Sequence, residues 1–70
     1  MQSIFLLTNG EIFIRFSKIE LELFEKLKEE HIPDPEKQIE FSNIFERMYE
    51  MLLINGNYQV TEYGKRFREI

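Results

Sequence analysis

The sequence predicts one small α+β domain spanning residues 1–70: a β-hairpin, two helices, a short strand and a closing helix. Three observations lead there. Asn9-Gly10 separates two runs of alternating bulky apolar residues, the pattern of a hairpin with a tight turn. Ser17-Lys18-Ile19-Glu20 has the spacing of a reciprocal helix cap, in which Ser accepts from the third backbone amide and Glu reaches back to the first. Pro33 and Pro35 make the sharpest break in the chain, so that the helical periodicity after the hairpin divides in two.

The hairpin is expected over residues 3–16. A two-residue type I′ turn at Asn9-Gly10 needs positive φ at both positions. It would pair Thr8 with Glu11, Leu7 with Ile12, Phe5 with Ile14 and Ser3 with Phe16. One face then carries Phe5, Leu7, Ile12, Ile14 and Phe16, and the other Ile4, Leu6 and Phe13 beside Arg15. Both faces are apolar. A single helical layer covers only one, so the second is either covered by the rest of the chain or is a contact surface. As a contact surface, Ile4, Leu6 and Phe13 would form the interface with a second copy or another partner.

The first helix is expected from about residue 18 to 30, with Ile19, Leu23, Phe24 and Leu27 facing the core. Asp34 can cap the next helix, with Pro35 at its first position. Ile39, Phe41, Ile44, Phe45, Met48, Met51 and Leu52 then keep helical spacing to about residue 53. That stretch reads as one helix, or as a short turn over 35–41 followed by a separate helix capped by Ser42. A helix-turn-helix needs the second arrangement. Asn55-Gly56 is either a helix C-terminal cap or the turn of a second hairpin, with Tyr58-Gln59-Val60 alternating as a strand. Thr61 caps a last helix over 62–70, expected to bury Tyr63, Phe67 and Ile70.

Composition narrows the function. The chain contains no cysteine, tryptophan or alanine, so its thirty apolar residues are all bulky. A core is feasible at this length, and self-association would enlarge it. Without cysteine there is no disulfide and no thiolate for zinc, which is compatible with an expected cytoplasmic location. No apolar run approaches the roughly 18 residues of a membrane span. The opening lacks the basic start and the longer apolar run of a signal peptide. No membrane partner is expected.

Catalytic patterns are missing from the sequence. The one histidine, His31, stands at a helix end, and serines 3, 17 and 42 have no base at a suggestive spacing. The acidic residues are dispersed along helix surfaces, and no calcium loop, HExxH or phosphate-cradling glycine loop occurs. The expectation is a non-enzyme with no catalytic residue, no metal and no cofactor. The net charge of −4 argues against strong non-specific attraction to nucleic acid. By segment the charge is 0 over 1–16, −2 over 17–31, −3 over 32–54 and +1 over 55–70. The only basic cluster, Lys65, Arg66 and Arg68, either contacts phosphate or balances a helix dipole.

The stretch from Leu53 to Phe67, LINGNYQVTEYGKRF, resembles the wing and trailing helix of winged-helix proteins. Many small members carry an apolar pair, a short wing and then Tyr-x-Leu-Thr-x-x-Gly-x-x-Phe; Tyr58, Val60, Thr61, Gly64 and Phe67 match, with Val in place of Leu. Residues 11–24 are similar, more faintly, to the strand and first helix of winged-helix output domains of response regulators. The resemblance implies a winged-helix-like fold and a DNA-binding, transcription-linked role. The helix before the wing, roughly Ser42 to Met51, would enter the major groove and present Asn43, Glu46, Arg47 and Glu50. Two of those four are acidic, and only two long helices precede the wing where the family has three.

Two readings remain open. One is a small regulator that binds nucleic acid as a homodimer through Asn43, Arg47, Lys65, Arg66 and Arg68. The other is an acidic protein-interaction module that binds another protein, with or without inhibiting it.

Overall fold

A computed structural model describes residues 3–70. The elements in order are β1 (Ile4–Thr8), β2 (Phe13–Ser17), α1 (Lys18–Lys28), α2 (Pro35–Glu40), α3 (Ser42–Glu50), α4 (Glu62–Lys65) and β3 (Arg68–Glu69). The strands form one antiparallel sheet in the order β2-β1-β3. The mixed α+β class is therefore as the sequence suggests.

The hairpin forms with a different turn. Thr8 pairs with Phe13, Leu7 with Ile14, Leu6 with Arg15, Phe5 with Phe16 and Ile4 with Ser17. Residues 9–12 all lie in the loop, in place of a two-residue turn. The Asn9 side chain is the reason. Its Oδ1 accepts from the amides of Glu11 and Ile12, both at 2.9 Å, while the Thr8 hydroxyl accepts from Gly10 and donates to the Ile12 carbonyl. These bonds satisfy a wider loop locally. Gly10 takes positive φ (98°) and Asn9 does not. The register moves by an even number of residues, so the side chains keep their faces. Only Ile12 leaves the inner face, for the loop.

α1 begins at the reciprocal cap. The Glu20 amide donates to Ser17 Oγ at 3.4 Å, and the Ser17 amide donates to Glu20 Oε1 at 2.8 Å. The helix stops at Lys28, short of the expected residue 30. Glu30 turns to φ 66°, and the His31 amide donates back to the Lys26 carbonyl at 3.0 Å, the bonding of a left-handed helix stop. Leu23, Phe24 and Leu27 are buried, and Ile19 is exposed rather than in the core.

The stretch 35–53 is two helices, broken at Phe41 (φ −110°, ψ 27°). Ser42 is the first residue of α3 and not its cap, and Phe41 supplies no side-chain cap. Asp34 does cap α2, accepting from the Lys37 amide at 2.9 Å. α2 buries none of its residues, and Ile39, expected in the core stripe, is exposed. Three helices thus precede the loop after α3, where the sequence suggested two. α3 ends as α1 does: Leu52 takes φ 65° and the Leu53 amide donates to the Met48 carbonyl at 3.0 Å.

Asn55-Gly56 is a turn. An isolated bridge joins Ile54 to Val60 and closes a small loop. Tyr58 has φ 60°, so residues 58–60 do not run as an extended strand. Thr61 then caps α4, accepting from the Gly64 amide at 2.9 Å and donating to the Leu52 carbonyl at 2.7 Å. Gly64 packs so closely on Leu53 that a Cβ would strike its carbonyl.

The expected helix over 62–70 is corrected. Only Glu62–Lys65 is helical. Phe67 is fully buried, and the chain then joins the open side of β1 as β3, with Leu7 opposite Glu69, Thr8 opposite Arg68 and the Ile70 amide donating to the Leu6 carbonyl at 3.1 Å. Ile70, expected to be buried, is 74% exposed. Unpaired peptide groups on β1 outcompete about one and a half more turns of helix. Tyr63 packs edge-on against Phe67 at 5.3 Å.

The core lies on the inner face of the sheet. Leu7 and Phe16 meet Leu23, Phe24 and Leu27 of α1, Phe45 and Met48 of α3, and Leu53, Ile54 and Phe67 from the C-terminal third. Phe16 and Phe24 meet edge to face at 5.5 Å, and Phe45 meets Tyr58 of the bridged loop likewise at 5.3 Å. The loop is thereby fixed against α3 by an aromatic contact.

Candidate functional site

The helix before the bridged loop exposes Asn43, Glu46, Tyr49 and Glu50. Asn43, Glu46, Arg47 and Glu50 line one shallow hollow, so the four residues expected on a groove-facing side do come together. Two of the four are acidic, which phosphates oppose.

Arg47 does not present a free charge. Its guanidinium pairs with the Glu20 carboxylate, donates to the Arg15 carbonyl at 3.0 Å and lies over the Phe16 ring at 5.9 Å. It ties α3 to the start of α1 and to β2. Burial works to raise the Glu20 pKa, but the Ser17 hydrogen bonds and the Arg47 charge outweigh it and hold the carboxyl below its ordinary value. The pair also closes the open edge of β2. Leu6 directs its carbonyl to β3, so its opposite number Arg15 turns its peptide groups away from β1. The Arg15 carbonyl is taken by Arg47 and the Ser17 amide by Glu20.

The basic cluster is dispersed. Lys65 is exposed on α4 and pairs with Glu62 at 3.4 Å. Arg66 is exposed at the end of α4. Arg68 stands opposite Thr8 on β3, so the helix expected over 62–70 does not carry it beside Lys65. Instead Lys65 lines a hollow of about 580 Å³ with Lys28 at the end of α1 and with Tyr58, Gln59 and Thr61. Lys28 was not singled out from the sequence. Its ammonium donates to the Phe67 carbonyl at 2.7 Å and sits 4.9 Å from the centre of the Phe24 ring. No local pattern marks its link to the C-terminal segment, because Phe67 lies 39 residues along the chain.

The outer face of the sheet is the other candidate. The register places Ile4, Leu6, Thr8, Phe13, Arg15 and Arg68 on it, with Ile70 beside Leu6. Ile4, Leu6, Phe13 and Ile70 are 42–74% exposed, so the other described residues do not cover this face. Ile4, Leu6 and Phe13 are thus together, as the alternation implied. Ile70 was missed because it was assigned to a helix.

Among the described residues no group of three or more His, Asp or Glu side chains is placed to hold a metal ion, and no helix is long and apolar enough to cross a membrane. Compared with protein-family models, curated proteins and solved structures, the chain matches none.

Proposed function

We propose that the protein is a small non-catalytic regulator with a winged-helix-like arrangement that binds nucleic acid, working as a pair of copies. One observation carries the reading: the loop closed by the Ile54–Val60 bridge follows directly on the third helix and leads into a short helix with exposed Lys65 and Arg66. A closed loop between a helix and a basic turn suits backbone contact, which fixes register without reading sequence. Lys65 and Arg66 are the residues for that contact. Arg47 is committed to Glu20, and the acidic side of α3 favours contact through the loop over deep insertion of the helix.

The test is retention of random duplex DNA by the full chain in a gel-shift at about 50 mM salt. Micromolar protein should retain the duplex, and the double variant Lys65→Glu, Arg66→Glu should weaken retention by roughly 10-fold or more. No retention, or retention indifferent to both substitutions, would overturn this reading of non-specific backbone contact.

A second reading has its own support. Glu46 and Glu50 flank Tyr49, 55% exposed, and Leu52, 67% exposed, follows at the helix end. An acidic surface with projecting apolar groups suits a basic, partly apolar site on another protein, which the chain would block. Capture of a stoichiometric partner that is lost in Tyr49→Lys would favour it over DNA.

A further inference from the structure

We infer that Asn55 is a site of spontaneous covalent modification, where the side-chain amide closes a cyclic imide with Gly56 and is then hydrolysed to a carboxylate. Asn9, in the same Asn-Gly dipeptide, is held back by its own loop.

The Gly56 nitrogen gives its proton to water and attacks Asn55 Cγ. One C–N bond forms and closes a five-membered ring. The bond from Cγ to Nδ2 breaks, and that nitrogen leaves as ammonia with a proton from water. A second water opens the imide at either carbonyl and leaves aspartate or isoaspartate at position 55. Nothing is oxidised or reduced, and water is the only co-reactant. Glycine admits the closure because no Cβ crowds the attacking nitrogen. The space beside Gly56 is also open, with no atom within 4 Å of where a Cβ would stand.

Three features of the bridged loop favour the attack. First, the carbonyl is polarised: Asn55 Oδ1 accepts from the amides of Asn57 at 2.8 Å and Gln59 at 3.1 Å. Those donors already stand where negative charge collects as Cγ becomes tetrahedral. Backbone amides only donate, so the oxygen and not the nitrogen faces them. Second, the leaving nitrogen has an acceptor. Nδ2 donates to Gln59 Oε1 at 3.0 Å, a bond that strengthens as the nitrogen gains a proton. Third, the nucleophile is free. Among the described residues nothing accepts from the Gly56 amide, and Asn55 and Gly56 are both exposed to water.

The hairpin loop shares only the first feature. Asn9 Oδ1 accepts from Glu11 and Ile12, both at 2.9 Å. The Gly10 amide, however, donates to Thr8 Oγ1 at 3.0 Å and must give up that bond before it can lose its proton. Asn9 is also half-buried. Asn43 and Asn57 precede Ile44 and Tyr58, whose side chains crowd the nitrogen that would attack.

The reaction adds one negative charge to a chain of net charge −4. An aspartate keeps both amide bonds at Oδ1 and strengthens them. An isoaspartate lengthens the main chain inside the loop that the Ile54–Val60 bridge closes. Under the reading above, the new charge opposes phosphate at that loop; the reaction itself does not depend on that reading.

Incubation of the full chain in mildly alkaline buffer tests this, with both sites followed by mass spectrometry of the peptides. In the folded chain Asn55 should convert roughly 10-fold or more faster than Asn9, the worth of one hydrogen bond at the attacking nitrogen. In concentrated urea the two sites should react at similar rates. Thr8→Val removes the acceptor and should raise the Asn9 rate towards that of Asn55. Gln59→Met should slow Asn55 and leave Asn9 unchanged. Asn9 converting as fast as Asn55 in the folded chain, Asn55 staying intact there while it reacts in urea, or an Asn9 rate unmoved by Thr8→Val would overturn the proposal. These readouts contain no DNA, so they fail or succeed separately from the gel-shift.

Discussion

The chain uses Asn-Gly twice, and the two copies behave differently. At 9–10 the asparagine side chain gathers two amides and the glycine takes positive φ. At 55–56 the asparagine side chain again gathers two amides, those of Asn57 and Gln59, and also donates to the Gln59 side chain. Here the positive φ belongs to Tyr58 and not to glycine. The shared feature is the asparagine acceptor. The dipeptide announces a turn, but the side chain decides how wide it opens.

The helices that follow the two loops extend the contrast. Ser17 caps α1 within a charged junction, where Glu20 and Arg47 join three elements. Thr61 caps α4 within a neutral one, bonding to Leu52 and Leu53 carbonyls beside the close-packed Gly64. One junction depends on ionisation and the other on fit.

The largest effect should break the neutral junction. Gly64→Ala drives a methyl into the Leu53 carbonyl and should cost about 3 kcal/mol or more, lowering the melting temperature by roughly 15 °C. An unchanged melt would mean that α4 shifts freely. Next, Asn55→Ala leaves more bonds unmade than Asn9→Ala. Denaturant titration should give losses of about 2 and about 1 kcal/mol, and a reversed order would break the comparison of the loops.

Gly10→Ala places a Cβ at φ 98° and should cost about 1 kcal/mol, while Gly56→Ala, with open space and no positive φ, should change stability by less than about 0.5 kcal/mol. Equal losses would make the glycines, rather than the asparagines, the common element. The smallest effect is the pH dependence of the charged junction. The folded Glu20 pKa is lowered from 4.5, so its contribution is complete above that value and is lost as pH falls through the lower folded pKa. Glu20→Gln should flatten the melting temperature against pH below 4.5, whereas Thr61→Ala should leave that slope intact.

Local signals were legible wherever the partners are close in sequence. Ser17 and Glu20 are three apart and their cap reads directly, as do Asp34 with Pro35 and Thr61 with Gly64. Alternation in the hairpin set the faces, and the even register shift left them right although the turn was wrong. What could not be read depends on distant partners. Arg47 looks like a groove-facing residue of α3 until Glu20 and the Arg15 carbonyl are brought to it. Arg68 and Glu69 have no strand pattern of their own; the unpaired side of β1 makes them a strand. That single change scattered the basic cluster and added Ile70 to the sheet surface.

β3 lies beside β1, and almost the whole chain separates them in order of synthesis. On a ribosome, β1 emerges early and finds β2 at once, but its other side stays unzipped until translation has passed Glu69. Closing so long a loop is the slow kind of step in folding, so the nascent hairpin would meet chaperones and proteases half-dressed. The same adjacency brings the first and last strands within reach of a short tether. A circular permutant reopened in the 29–34 connection would make β3, β1 and β2 in succession, so that the sheet completes itself without waiting for distant strands, with α1 alone still to come.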